Sequence, residues 1–320
     1  MTSIGTIAAI CASHTPLIRN GIAAEHTKLQ VREAFSRLAG FASSLQPDLI
    51  IQFAPDHFGG FFYDLMPAIC VGAAAQSIGD WGTRAEALNV PEPLARDLAE
   101  SLIDSDFDVA LSYRMQVDHG FVQIWEEMFG TEARYPAPVI PIFINCAAPP
   151  LISYRRARLL GEAVGRWAIA SGKRVLFAAS GGLSHDPPTP DILTASDEVR
   201  ERLIVGRNPS LEARETRETR VLAAGASAVR GEGPCQPLNE TWDRDVIALC
   251  MAGEIARFDA FQPAQVRELA GRGANEILTW VAALAAQGVA GDARRTLEFY
   301  EPIDGWIAGM AMLSAVHQAS

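Results

Sequence analysis

No stretch of the 320-residue sequence approaches the roughly 20 consecutive apolar residues that a helical membrane span requires. No basic residue precedes the apolar run at the N-terminus, so Ile7–Cys11 reads as a first strand and not as part of a signal peptide. Cysteine is scarce: five residues, widely spaced, with no CxxC pair. That argues against a disulfide framework and for reduced thiols in the cytoplasm. Cys11 and Cys70 lie inside apolar runs and read as inert core thiols. Positive charge is also short, with 27 Lys and Arg against 38 Asp and Glu and a net charge of −11. Such a chain is a poor partner for nucleic acid or an anionic membrane unless a local basic patch overrides the mean. Two arginine groups, Arg155-Arg156-Arg158 and the stretch Arg214 to Arg220, read as solvated helix faces, the second interleaved with glutamates. The glycine fingerprint of dinucleotide folds, the Walker A loop and the GxSxG elbow are all missing. There is no internal repeat, low-complexity tract or linker. What remains is an ordinary globular composition, 49% hydrophobic and 20% charged, with ample material for a core. It is read as one domain over residues 1–320.

Four of the six histidines stand in one relation to the chain: each follows an apolar, strand-like run. Ile7–Cys11 leads to His14 and Asp48–Phe53 to His57. Val109–Tyr113, followed by Met115 to Asp118, leads to His119. Val175–Ala179 leads through Ser180-Gly181-Gly182, where glycine permits a tight turn, to His185. His26 and His317 lack this relation. Any one histidine past a strand is more often a hydrogen-bonding loop residue than a ligand. Four together define one candidate cluster, because ligands in open α/β sheets collect beyond the carboxyl ends of the strands.

The segments between the strands read as helices: Lys28 to Leu45, Pro91 to Ser105, and Leu151 to Ser171, with Gly120 to Phe129 a short helix or lid. Pro67–Gly72 and Val139–Asn145 add strands, and Pro141 suggests an edge or bulge. Phe58–Tyr63, with adjacent glycines between aromatics, reads as backbone close to something flat or as a packed loop. The alternation implies an α/β fold with a mostly parallel central sheet and helices on both faces. From about residue 191 the pattern is nearly all helix, at Ser196–Val205, Leu211–Arg230, Arg244–Arg257, Pro263–Ala270 and Ala274–Gln287.

Neutral imidazole is the commonest protein ligand for transition metals. Two histidines and a carboxylate on one face suit mononuclear non-haem Fe(II), with tetrahedral zinc the rival. His14 and His57, from the first two strands and so from possible sheet neighbours, are the candidate ligands. The carboxylate must come from elsewhere. Asp56 and Asp118 adjoin histidines and read as turn or supporting residues. Glu240 and Asp243, at the mouth of a helix, are the two candidates. His119 and His185 remain as acid and base, a role that suits a group with pKa near 6.5.

Several short motifs, in order, carry a resemblance over nearly the whole chain. They are Ser13–Leu17, Ala54–Phe58, Gly60–Asp64, Met115–Phe121, Ser180–His185, Leu238-Asn239 with Trp242-Asp243, and Trp306–Gly309. The sequence resembles the class III extradiol ring-cleaving dioxygenases, the superfamily of the protocatechuate 4,5-dioxygenase β subunit, and within it the 2,3-dihydroxyphenylpropionate 1,2-dioxygenases. The resemblance implies Fe(II), dioxygen, a catechol substrate and a homo-oligomer. It assigns His14 and His57 to the iron, His119 as acid and His185 as base. For the third ligand it favours Asp243 slightly over Glu240. A zinc hydrolase or another metal-dependent catechol or aminophenol dioxygenase is the enzymatic alternative. A non-catalytic binding protein is the other, although a scaffold has no need of an acid and a base.

Overall fold

The computed structural model describes residues 6–131 and 135–317. The chain runs β1 (Ile7–Ala12), α1 (Glu25–Leu45), β2 (Leu49–Ala54), β3 (Ile69–Gly72), β4 (Ala75–Ser77), α2 (Glu92–Asp104), β5 (Ala110–Ser112), β6 (Met115–Val117), α3 (His119–Phe129), β7 (Val139–Ile144), α4 (Tyr154–Ala170) and β8 (Val175–Ser180). Then come α5 (Asp197–Val205), α6 (Leu211–Ala228), α7 (Glu240–Ala252), α8 (Pro263–Ala270), α9 (Ile277–Gly288), β9 (Ala293–Ile303) and β10 (Ala308–His317). No helix among the described residues is long and apolar enough to cross a membrane.

Strands β1, β2, β7 and β8 are buried at every residue, which is why they read as unbroken apolar runs and not as alternating ones. They form the centre of an eight-stranded sheet of order β5-β3-β7-β2-β8-β1-β10-β9. The β5-β3, β7-β2, β2-β8 and β8-β1 pairs are parallel, and β3-β7, β1-β10 and β10-β9 antiparallel. Alternate residues of each strand feed two cores. Ile7, Ala9 and Cys11 of β1 pack with α2, α4, α7, α8 and α9. Ala8, Ile10 and Ala12 pack with α1 and α3 on the other face. Helices therefore cover both faces of a mostly parallel sheet.

Three details differ from the sequence reading. Residues 293–317 form a β-hairpin, not a continuation of the helical region, and β10 returns to pair antiparallel with β1. Its run of alanine, methionine and glycine has low strand propensity and no period of 2, so only burial reveals it. Pro141 lies inside the sheet, not at an edge. The β3 pairing stops at Val71↔Ile142, and a Cβ on the adjacent Gly72 would strike the Pro141 ring. Finally, α3 is not a lid: His119 to Glu126 are all buried.

Helix α9 is buried on every side from Ile277 to Gln287. It lies close against α4, because a Cβ on Gly161 or Gly165 would collide with the carbonyls of Ala282 or Ala286. Its first turn is tied to the end of β8: Thr279 Oγ1 donates to the Ser180 carbonyl at 3.1 Å and Trp280 Nε1 to the Gly181 carbonyl at 2.9 Å. Asn275, just ahead of the helix, accepts from Tyr154 Oη of α4 at 2.9 Å. These ties set where the residue before α9 points.

Candidate metal centre and catalytic cleft

β2, β8 and β1 are consecutive in the sheet and parallel, and each releases a histidine beyond its carboxyl end: His57, His185 and His14. β1 and β2 are thus not neighbours; β8 lies between them. His119 arrives from β6, as the first residue of α3. The rings converge. His57 and His119 stack with centroids 4.5 Å apart, and His14 lies edge-on to both, at 5.2 and 5.5 Å. His14, His57 and His119 each offer a nitrogen, and these atoms lie within 4.8 Å of one another, a group able to hold a metal.

The carboxylate among these rings belongs to Glu276. Its Oε1 is 3.1 Å from both His57 Nε2 and His185 Nε2, and its Oε2 is 3.8 Å from His14 Nε2. The Gly182 amide donates to Oε2 at 3.3 Å. Neither carboxylate favoured by the sequence is brought to the cluster. Glu240 is in the first turn of α7, its side chain 52% exposed and paired with Arg244 four residues on. Asp243 is fully buried, but its oxygens are taken by the Ser184 amide at 2.7 Å, Ser184 Oγ at 2.9 Å and Tyr300 Oη at 3.0 Å. Asp243 thus braces the loop that carries His185. Glu276 escaped the sequence reading because it adjoins no histidine and no strand. One signal was there: it is the only charged residue in the apolar run Ala274–Gln287.

Each ring is oriented by its Nδ1, and fixing that nitrogen leaves Nε2 for chemistry. His57 Nδ1 donates to Asp118 Oδ2 at 3.1 Å, and the same oxygen accepts the His57 amide at 2.7 Å. Asp118 is held by its own role as the N-cap of α3. His119 Nδ1 donates to Asp80 Oδ2 at 2.6 Å, and its amide to Asp80 Oδ1 at 2.8 Å. His185 Nδ1 donates to the Leu183 carbonyl at 3.0 Å. His14 Nδ1 lies 3.0 Å from Ser180 Oγ. A Cβ on Gly273 would run into the His185 ring, so the chain leaves that position bare. Asp56 is occupied elsewhere. It accepts the amides of Gly59, Gly60 and Phe61 and so shapes the loop after β2, in which Phe61 stacks on Phe143 at 3.9 Å.

Burial and charge compete at each group. Burial drives His14 down to about 3, against the pull of Glu276. For His57, burial is outweighed by Asp118 and Glu276, which lift it well above the usual histidine value. For His185, burial is outweighed by Glu276 and the Leu183 carbonyl, so its value is raised too. Burial favours a neutral Glu276, but His185 and His57, then His14, hold it well below the carboxylate range. The four histidines border one cavity of about 430 Å³, together with Phe58, Phe62 and Trp81. An aromatic-walled cleft opening onto imidazoles and a buried anion suits a flat, polar-edged ring.

Residues 8–311 match the family described as the catalytic LigB subunit of aromatic ring-opening dioxygenase, and the chain belongs to that family. It is a ring-opening dioxygenase. Among its curated relatives is the 2,3-dihydroxyphenylpropionate/2,3-dihydroxicinnamic acid 1,2-dioxygenase of Photorhabdus laumondii, 48% identical over 310 residues that cover 97% of each chain. The enzyme of the same name from Paraburkholderia xenovorans is 47% identical over 95% of this chain and 96% of its own. That from a Rhodococcus species is 48% identical over 96% of this chain and 98% of its own.

Proposed function

We propose that the protein opens the ring of 3-(2,3-dihydroxyphenyl)propionate or its cinnamic counterpart beside the diol, using Fe(II) held by His14, His57 and Glu276. The observation that carries this reading is the position of Glu276. A carboxylate only 1% exposed, whose ion-pairing partners among the described residues are the imidazoles of His14, His57 and His185, is an anion placed to receive a cation. Two imidazoles and one carboxylate converging from one side are the donor set of mononuclear Fe(II) oxygenases; the same set can hold catalytic zinc, and the dioxygen chemistry of the family, which needs a redox-active metal, favours iron. His119 also lies within reach, but unlike His14 and His57 it forms no ion pair with Glu276 among the described residues, and its partner is Asp80, which leaves it to deliver a proton.

Bound Fe(II) would gather the diol and dioxygen at one centre and polarise both. The chain's own groups manage the protons. His185, steadied through Nδ1 by the Leu183 carbonyl, presents Nε2 to take a proton from the diol. His119, steadied by Asp80, presents its opposite nitrogen to return one to the departing oxygen. Phe58, Phe62 and Trp81 restrict water and hold the ring plane. The activities for which the curated relatives are named support the choice of substrate. The free cysteines, Cys11, Cys70, Cys146, Cys235 and Cys250, support a cytoplasmic setting.

The test is oxygen uptake after anaerobic loading with Fe(II), with 2,3-dihydroxyphenylpropionate as substrate. Uptake with a yellow ring-opened product is expected. Iron bound without uptake would exclude this catechol, and failure to bind iron would remove the metal assignment.

A further inference from the structure

The stretch Arg214 to Arg220 reads in sequence as a solvated face, but the structure turns it toward the cleft. Arg214, Arg217 and Arg220 recur every third residue along α6, and all three border the cavity that holds the histidines. Arg202 of α5 joins them from a second helix. The C-terminal half of α6 is seated: Ala224 and Gly225 are buried, and a Cβ on Gly225 would meet the Gly305 carbonyl and Leu17. The arginine-bearing half therefore overhangs the cleft. One guanidinium is tied to the metal centre itself, since Arg217 Nη2 donates to the His57 carbonyl at 3.0 Å.

These cations have no close carboxylate partner among the described residues. Among the described residues, Arg202, Arg214, Arg217 and Arg220 form no ion pair within 4.0 Å, while Arg207, Arg230, Arg267 and Arg272 each pair with a carboxylate. Glu198, Glu212 and Glu218 also border the cavity, and none comes within that distance of the four. Burial, and then Arg202 and Arg217, press the Arg220 guanidinium below its usual value, the mark of like charges gathered together. In a chain of net charge −11, four arginines without a close carboxylate along one side of a cleft, two of them half-buried, are placed to receive an anion.

We infer that Arg217 and Arg220, flanked by Arg202, bind the side-chain carboxylate of the substrate and so select carboxylated catechols. The inference rests on the ring-cleavage reading above and deepens it. The planar guanidinium fork matches a carboxylate in two-point fashion, which a lone ammonium does not. Arg217 also couples the two ends of the ligand, because the group that holds the side chain leans on the backbone of His57.

Two readouts test this. The first is the ratio of kcat/KM for 2,3-dihydroxyphenylpropionate to that for 3-propylcatechol, which lacks the carboxylate. In Arg220→Gln, and in Arg202→Gln combined with it, this ratio should fall about tenfold or more, the scale of a charge-assisted hydrogen bond. Arg217→Lys, which keeps the charge but loses the fork, should lower it less than Arg217→Gln. The second readout needs no turnover: calorimetric binding of 3-phenylpropionate against 3-phenylpropan-1-ol to the purified protein. The acid should bind more tightly, weaken with salt, and lose its advantage in the same variants. An equal fall for both catechols, a wild-type protein indifferent to the carboxylate, or variants that keep the preference would each overturn the inference. A binding preference lost in the variants, in a protein that cleaves no catechol, would uphold the arginine assignment and overturn the ring-cleavage reading alone.

Discussion

Glu276 Oε1 and His57 Nε2 lie 3.1 Å apart although 219 residues separate them in the chain. The approach is built by α9, whose buried length against α4 and hydrogen bonds to the end of β8 leave the residue ahead of it no other place to point. Replacing Glu276 with glutamine keeps the volume and removes the charge. Glu276→Gln should retain no iron after anaerobic loading and desalting, measured by a colorimetric chelator, and should take up no oxygen. Asp243→Asn should still hold iron, because Asp243 is spent on Ser184 and Tyr300. Glu240→Gln should alter stability by less than about 0.5 kcal/mol and leave turnover intact, as for an exposed helix pair. A Glu276→Gln protein with stoichiometric iron would falsify the ligand assignment.

His119 depends on Asp80 for its orientation and for the identity of the nitrogen that carries the proton. His119→Gln should lower kcat by about 10² to 10⁴, the usual worth of a general acid or base. Asp80→Asn should lower kcat in the same direction by a smaller factor and leave iron content and KM nearly unchanged. Steady-state kinetics on iron-replete protein separates the two effects, and a change confined to KM would assign Asp80 to substrate binding instead.

Gly273 makes room for His185. A methyl group there meets the ring itself, not a flexible chain end. Gly273→Ala should therefore displace the imidazole and cost on the order of 10²-fold in kcat, the effect of a reacting group misplaced by about 1 Å. Thermal unfolding should show the fold retained. Full activity in this variant would mean that His185 is not held where its role requires.

Asp186, one residue beyond His185, accepts the Arg272 guanidinium and the amides of Arg272 and Gln236. Burial raises its carboxyl, but Arg272 and the amides outweigh that and hold it below the ordinary value. The sign follows from linkage: the native state binds the proton less readily, so this stabilisation is complete above the unfolded pKa, near 4, and is lost as pH falls through the lowered native value. Asp186→Asn should lower urea stability by about 1.5–3 kcal/mol at pH 7, the range for a hydrogen-bonded charge. The gap from the parent protein should narrow in acid. A gap independent of pH would show that packing, not charge, is lost.

The central strands and their histidines were legible because both signals are local: an apolar run, then a breaker, then an imidazole. His14, His57, His119 and His185 form one group on that basis, and they do converge. Features that depend on distant partners were not legible. Nothing near Glu276 marks it as a companion of His57. Nothing in the first two strands reveals that β8 separates them. Asp243 and Glu240 had the right chemistry beside a motif, but α7 spends one inward on a bracing network and the other outward on Arg244. The arginines of α6 looked solvated because their neighbours in sequence are glutamates. Only the seating of the helix turns them toward the cleft.

The antiparallel partner of β1 is β10, and Ser13, one residue beyond β1, donates to the carbonyl of Gly309 across 296 positions. This imposes an order on assembly. The strand that carries His14 gains its second neighbour only when a segment 296 positions further along the chain arrives. On a ribosome, with the chain incomplete, its edge is open to stray pairing. A chain lacking the hairpin could gather the histidine-bearing strands, yet the loop braced by Asp243 would be without its contacts to Tyr300 and Gly309. The hairpin of β9 and β10 therefore completes both the sheet and the support of the loop that carries His185.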